Sequence, residues 1–385
     1  MIDGQKRSFM KFQDVRAFLD SVLDEDIHTK RVDSLANATL GVMTGASLGV
    51  ALIGKSLAQA RGLLPKHAIK QVDRLLSNSK LEAWDVFAPW VPEMVGPRED
   101  IVVAMDWTDF DADGQATLAL KLVTRHGRAT PLVWLSVLKD ELKDARNDCE
   151  DACLRRLAEV LPANVRATIL ADRGFADTKL FEFLGELGFD YVIRLKGNTR
   201  VGAVDGTARP AQEWVGQGGR ARKLRDAAIT EAQCPVGAAV CVHAKGMKEP
   251  WCLVTGSRDA TAPQIIKLYS KRWTVEPSFR DTKDLRFGLG AMRIADPQRR
   301  DRLLLLNAFA VVLLTLLGAA GESLGMDRHL KSNTVKTRSH SLFRQGCMLY
   351  DLTPNMPEHR LRPLIERYAE LLQQSRVFRD TLALT

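Results

Sequence analysis

Cysteine is sparse in this chain, with six residues in 385, at positions 149, 153, 234, 241, 252 and 347. None forms a CxxC pair and no histidine stands at finger-like spacing from them. Zinc is therefore not expected, and reduced cytosolic thiols are the default. Low-complexity tracts are absent, and a hydrophobic content of 45% excludes the disordered class. The N-terminal stretch MIDGQKRSFMKFQDV is basic but lacks an apolar core of signal-peptide length. No export signal is read there, and a cytoplasmic location is expected. Long apolar runs are missing too, with one exception at 303–320, LLLLNAFAVVLLTLLGAA, interrupted by Asn307 and Thr315. A helix apolar all round is either a membrane span or a core helix. A lone span here would pull the adjacent polar segment onto a bilayer, so a buried helix and no membrane contact are expected.

Positive charge is what the chain has in excess. Lys and Arg number 55 against 47 Asp and Glu, a formal charge of +8 with a pI near 9.2. That balance points to a polyanionic partner such as nucleic acid. The length allows two or three domains, or one core domain with insertions.

The most informative stretch is 269–283, YSKRWTVEPSFRDTK. At about 100° per helical residue, Tyr269, Arg272, Glu276 and Lys283 fall on one narrow face. A phenol, a carboxylate and two cations do not make a core-facing stripe, and the plain alternative is a solvated charged face. Two further acids each end an apolar run, Asp106 after IVVAM and Asp172 after ATILA. Three carboxylates delivered by two strand ends and a helix make a divalent-metal site, suited to two Mg²⁺ ions that share phosphodiester cleavage. Mn²⁺ can substitute. Asp109, Asp111 and Asp113 compete with Asp106, Asp177 competes with Asp172, and Asp281 and Asp284 compete with Glu276. Pro277 removes an amide donor inside the helix, which argues for a kink or for a helix beginning near Glu276. Tyr269, Arg272 and Lys283 suit phosphate holding better than proton transfer.

Along the chain, the first hundred residues read as helical. VRAFLDSVL has a helical apolar period, and Pro65 opens a helix bearing Lys66, His67, Lys70 and Arg74. Short β-rich runs at 101–106, 116–123 and 131–137 follow. A helix at 149–161, a strand at 165–171, a helix at 178–187 and a strand at 191–195 come next. Residues 197–256 show strands and glycine turns with no helical period, and they carry many arginines. Helix returns from 265, a basic run precedes 345, and an amphipathic helix begins near Glu358. The fold class is α/β.

These blocks resemble a known family. Tyr269-x2-Arg272-x3-Glu276-x6-Lys283 is similar to the signature of DDE transposases of the insertion-sequence-four family. DWTDF at Asp106 and ADRG at Asp172 resemble the blocks that carry its two catalytic aspartates. The three blocks occur in order, and the likeness runs from about 65 to 345. The resemblance implies a ribonuclease-H-like core of order βββαβαβ, in which the first and fourth strands lie side by side. It divides the chain into a DNA-binding helical module (1–98), a core in two parts (99–196 and 257–345) around a β-rich insertion (197–256), and a helical tail (346–385). Asp106 would bridge both ions, with Asp172 and Glu276 each holding one. Tyr269, Arg272, Lys283, Arg194 and Lys196 would contact DNA, and Trp251 would stack on a base flipped out during hairpin formation, unless it is a core residue. Trp107 and Trp273 are expected to be packing. The activity implied is cut-and-paste transposition on terminal inverted repeats, by a homodimer on DNA. A plain metal-dependent nuclease and a catalytically silent DNA-binding descendant are the rivals. The basic helical module disfavours the first, and the intact acids disfavour the second.

Overall fold

The structure is a computed structural model that describes residues 10–23 and 27–373. The stretch before Met10, where an export signal was sought, and the end of the tail lie outside the described residues. Up to Arg98 the described chain is helical: α1 (Phe12–Val22), α2 (Thr29–Gly45), α3 (Val50–Arg61), α4 (Pro65–Leu76) and α5 (Ala83–Val95). The apolar period of α1 buries Val15, Phe18, Leu19 and Val22, while Lys66, His67, Lys70 and Arg74 form an exposed face of α4.

The expected alternation then appears: β1 (Asp100–Phe110), β2 (Gln115–Leu122), β3 (Thr130–Leu138), α6 (Leu142–Val160), β4 (Arg166–Ala171), α7 (Thr178–Glu186) and β5 (Asp190–Arg194). After these come β6 (Arg200–Gly202), β7 (Ala208–Pro210), β8 (Arg222–Ile229), β9 (Cys234–Val242) and β10 (Trp251–Thr255). Among the described residues all ten strands join one sheet of order β3-β2-β1-β4-β5-β10-β9-β8-β6-β7. β1, β4 and β5 run parallel, and β10 lies antiparallel against β5. The strands of 197–256 therefore extend the central sheet.

One expectation about β1 needs correction. Asp106 does not end the strand: pairing with β2 continues through Asp109 opposite Ala116 as far as Phe110. The reason is the β1–β2 hairpin, which carries on after β4 has stopped at Ala171.

The remaining helices are α8 (Ala262–Ser270), α9 (Val275–Arg280), α10 (Pro297–Ser323), α11 (Leu342–Leu352) and α12 (Glu358–Gln373). Helix α10 is long and apolar enough to cross a membrane, but 83% of its apolar window is buried inside the protein. It packs against α2, α5, α11, α12 and β3. Phe309 takes the edges or faces of Phe18 and Trp90, which joins α10 to the N-terminal helices. Its first turns are fixed by buried arginines. Arg300 pairs with Asp113 and donates to Gln115, and Arg302 donates to the carbonyls of Leu76 and Leu81. Against α11 the two backbones nearly touch, because Gly318 and Gly346 face each other. A Cβ on Gly346 would lie 1.7 Å from the carbonyl oxygen of Leu314.

Candidate active site

Side chains alternate across a strand, and cross-strand partners share a face. Asp106 therefore lies on the face of Val102 and Ala104, and Asp172 on that of Thr168 and Leu170. Ala104 pairs with Leu170, so each aspartate stands two residues past this last shared rung of the parallel ladder. Lys121 pairs with Ala104 and belongs to the same face. Arg194 pairs with Leu253, two residues from Trp251. Lys121, Asp106, Asp172, Arg194 and Trp251 thus form a row across β2, β1, β4, β5 and β10, neighbouring strands that each contribute one residue. Asp172 is fixed at the strand end by accepting from Gly174 N at 2.7 Å. A Cβ on Gly174 would crowd that carboxylate at 3.0 Å.

The segment 269–283 covers this row, but not as one helix. Tyr269 closes α8, a 3₁₀ turn spans Lys271–Thr274, α9 begins at Val275, and a π-turn spans Asp281–Leu285. Pro277 sits in the first turn of α9, the part of a helix that tolerates proline best. The four-residue stripe is consequently divided. Tyr269, Arg272 and Glu276 converge on the aspartates, whereas Lys283 donates to the carbonyl of Asp109 at 2.6 Å, beyond them on β1.

Arg272 is the centre of the group. Its guanidinium reaches Asp106 Oδ2 at 3.4 Å and Glu276 Oε1 at 3.2 Å. Tyr269 lies beside it. Burial works against its charge, but Tyr269, Asp106, Asp172 and Glu276 outweigh burial and raise its pKa. Asp106 is pushed up to about 6, first by burial and then by Asp172, with Arg272 opposing. Tyr269 is buried, with its ring 5.0 Å from that of Trp251 in an edge-to-face contact. Arg194 is held by the carbonyl of Pro250 at 3.0 Å and by Glu249 at 2.9 Å. Lys196 is exposed.

The competing acids are engaged elsewhere. Lys139 takes Asp109 at 3.2 Å and Asp111 at 2.6 Å. Asp113 meets Arg300, Asp281 meets Arg128, and Asp177 caps α7 by accepting from Lys179 N at 3.1 Å. Asp284 points to solvent.

Two residues escaped the sequence reading. Lys121 is buried, donates to Ser278 Oγ at 3.0 Å and lies 3.5 Å from the ring centre of Phe279. Its signal was a lone charge inside the apolar run ALALKL. Trp273, expected to pack, is instead 52% exposed, with the Arg272 guanidinium 5.5 Å from its ring centre. The 3₁₀ turn buries Arg272 and leaves the next side chain outside. Trp107 does pack, donating to Glu150 at 2.8 Å.

Among the described residues, no three Asp, Glu, His or Cys side chains converge closely enough to hold a metal ion. The Arg272 guanidinium bridges Asp106 and Glu276. The donor chemistry nevertheless fits a hard divalent cation: the candidate ligands are all carboxylates, and Asp106 is raised by burial and by the neighbouring negative charge of Asp172.

The family model described as transposase DDE domain matches residues 97–313, more than half of the chain, and the protein belongs to that family. This places it among the transposases, an enzyme class that generally uses divalent metal ions. No curated protein matches the chain.

Proposed function

We propose that the protein is a DNA transposase of the insertion-sequence-four type, with a ribonuclease-H-like core, that excises and integrates its element by a cut-and-paste route. The observation that carries this reading is that Asp106 and Asp172 stand at matching positions just beyond the β1–β4 parallel ladder, with Arg272 bridging Asp106 to Glu276. Asp106, Asp172 and Glu276 would hold the divalent ions, Mg²⁺ or Mn²⁺. When bound, these ions supply charge relief at phosphorus and an activated attacking oxygen.

The chain's own residues do the rest. Arg272 is buried and firmly charged, so it can orient a phosphate beside the carboxylates through a bidentate contact. Tyr269 fixes that guanidinium and is itself braced by Trp251. Lys283 and Lys196 lie further along the same side of the sheet and suit the flanking backbone. Arg194 is spent on Glu249 and Pro250, so its part is to shape the wall at β5 and β10 unless DNA draws it away. Trp251 or the exposed Trp273 would stack on an extruded base at a hairpin step. The basic face of α4 suits the phosphates of terminal inverted repeats, and two copies on paired ends would form the working unit.

The test is cleavage of linear DNA carrying the element's ends in Mg²⁺. Asp106→Ala, Asp172→Ala and Glu276→Ala should each abolish nicking while end binding persists in a gel shift. Unimpaired nicking by any of the three would remove that residue from the triad. Absence of cleavage by the unmutated protein on its own ends would remove the transposase reading.

A further inference from the structure

Strands β9 and β10 place Cys241 directly opposite Cys252. The carbonyl of Cys252 accepts from Leu195 N of β5 at 2.7 Å, so its backbone polar groups face β5 and turn away from β9. The Cys241–Cys252 pair is therefore of the non-hydrogen-bonded kind. In such pairs the Cα atoms of antiparallel neighbours approach to about 4.5 Å and the side chains lie closest. That spacing falls inside the roughly 4.4–6.8 Å over which a disulfide closes without backbone movement. Both residues are 1% exposed. The other cysteines have no such arrangement: Cys149 and Cys153 follow one another along α6, Cys234 begins β9, and Cys347 lies on α11.

We propose that Cys241 and Cys252 are a hydroperoxide-sensitive dithiol that closes a reversible cross-strand disulfide in the folded protein. Cys252 is the first nucleophile. The Cys241 thiol beside it and the charge of Arg194 lower its pKa against burial, while the same pairing raises Cys241. Its thiolate attacks one peroxide oxygen, the O–O bond breaks, and a sulfenic acid forms as hydroxide leaves. The Cys241 sulfur then attacks the Cys252 sulfur, the S–O bond breaks, and the hydroxyl departs with a proton as water. In total two thiols lose two electrons and one hydrogen peroxide becomes two waters. Cys252 points to the sheet face opposite Trp251, so the bond locks β9 to β10 behind the row of charged residues. The inference does not depend on the DNA chemistry proposed above.

The full-length protein is treated in its native state with hydrogen peroxide, quenched, unfolded and assayed for thiols. The count should fall by two from six, and dithiothreitol should restore it. Lys245 and Lys248 lie between the two cysteines, so trypsin separates them unless a disulfide holds the peptides together. A linked pair of peptides carrying Cys241 and Cys252 is expected. Cys252→Ser should abolish the two-thiol loss and Cys149→Ser should leave it intact. Should Cys252→Ser fail to fold, the peptide map of the unmutated protein decides alone. An unchanged count, a link between Cys149 and Cys153, or stable sulfinic acid at Cys252 without a link would each overturn the proposal.

Discussion

A lysine enclosed by a sheet and a helix has to replace its lost water, and Lys121 does so with the Ser278 hydroxyl and the Phe279 ring. Burial lowers its pKa to about 7, with Asp106 and Asp281 opposing, whereas an unfolded chain keeps a lysine near 10.4. Between those values the unfolded chain holds a proton that the folded chain has released, so this residue makes stability rise with pH across that window. Urea melts at pH 7 and pH 9 should show the rise in the unmutated protein and a flatter response in Lys121→Met. Equal slopes in the two proteins would deny the residue its shifted proton affinity. The tryptophans divide in the same concrete way. Trp251 braces Tyr269 and Trp273 is half exposed, so Trp273→Ala should spare folding and nicking while nicked ends accumulate in place of hairpins, at a cost of about 1–3 kcal/mol of stacking. A normal hairpin yield would exclude Trp273 from base stacking and leave Trp251 as the candidate. Asp106 and Asp172 were read from the apolar runs they follow, and Glu276 from its helical spacing with Tyr269 and Arg272. The exposure of Trp273 was not, because it depends on a 3₁₀ turn that no spacing rule anticipates.

At the level of elements, the 269–283 segment shows what a periodicity argument can and cannot carry. Tyr269, Arg272 and Glu276 meet because they are three and four residues apart, and a 3₁₀ turn brings residues three apart into line. Lys283 departs because a π-turn intervenes, and that turn has no signature in the sequence. The apolar run 303–320 was legible as a buried helix, the middle of α10, and its polar interruption Asn307 donates to Thr282 Oγ1 at 3.3 Å. What the run did not disclose was its partner. The contact of Gly318 with Gly346 permits backbone approach closer than any side chain allows. Gly346→Ala should force α10 and α11 apart at a cost of about 1–3 kcal/mol. Thermal melting should register this as a lowered Tm, and an unchanged Tm would mean that the helices part freely.

Across the whole molecule, helices from both ends of the chain share one core with the sheet, which joins N-terminal α1 and α2 to C-terminal α12 through α10. Element order and the β1–β4 neighbourhood followed from pattern and resemblance, but the continuity of the sheet did not, because strand runs alone do not say which strand they border. That continuity bears on inheritance. The final strand of 197–256 is the neighbour of β5, so excising this segment would strip β5 of β10 and leave its backbone groups unpaired along a new edge. An open edge is a template for other chains. A protein lacking 197–256 should therefore form aggregates visible by sedimentation even though Asp106, Asp172 and Glu276 are all retained, and a monodisperse shortened protein would show the segment to be detachable. If the deletion does aggregate, descendants of this chain can vary the outer strands β6, β7 and β8 one by one, while β10 must be passed on with the core or lost together with it.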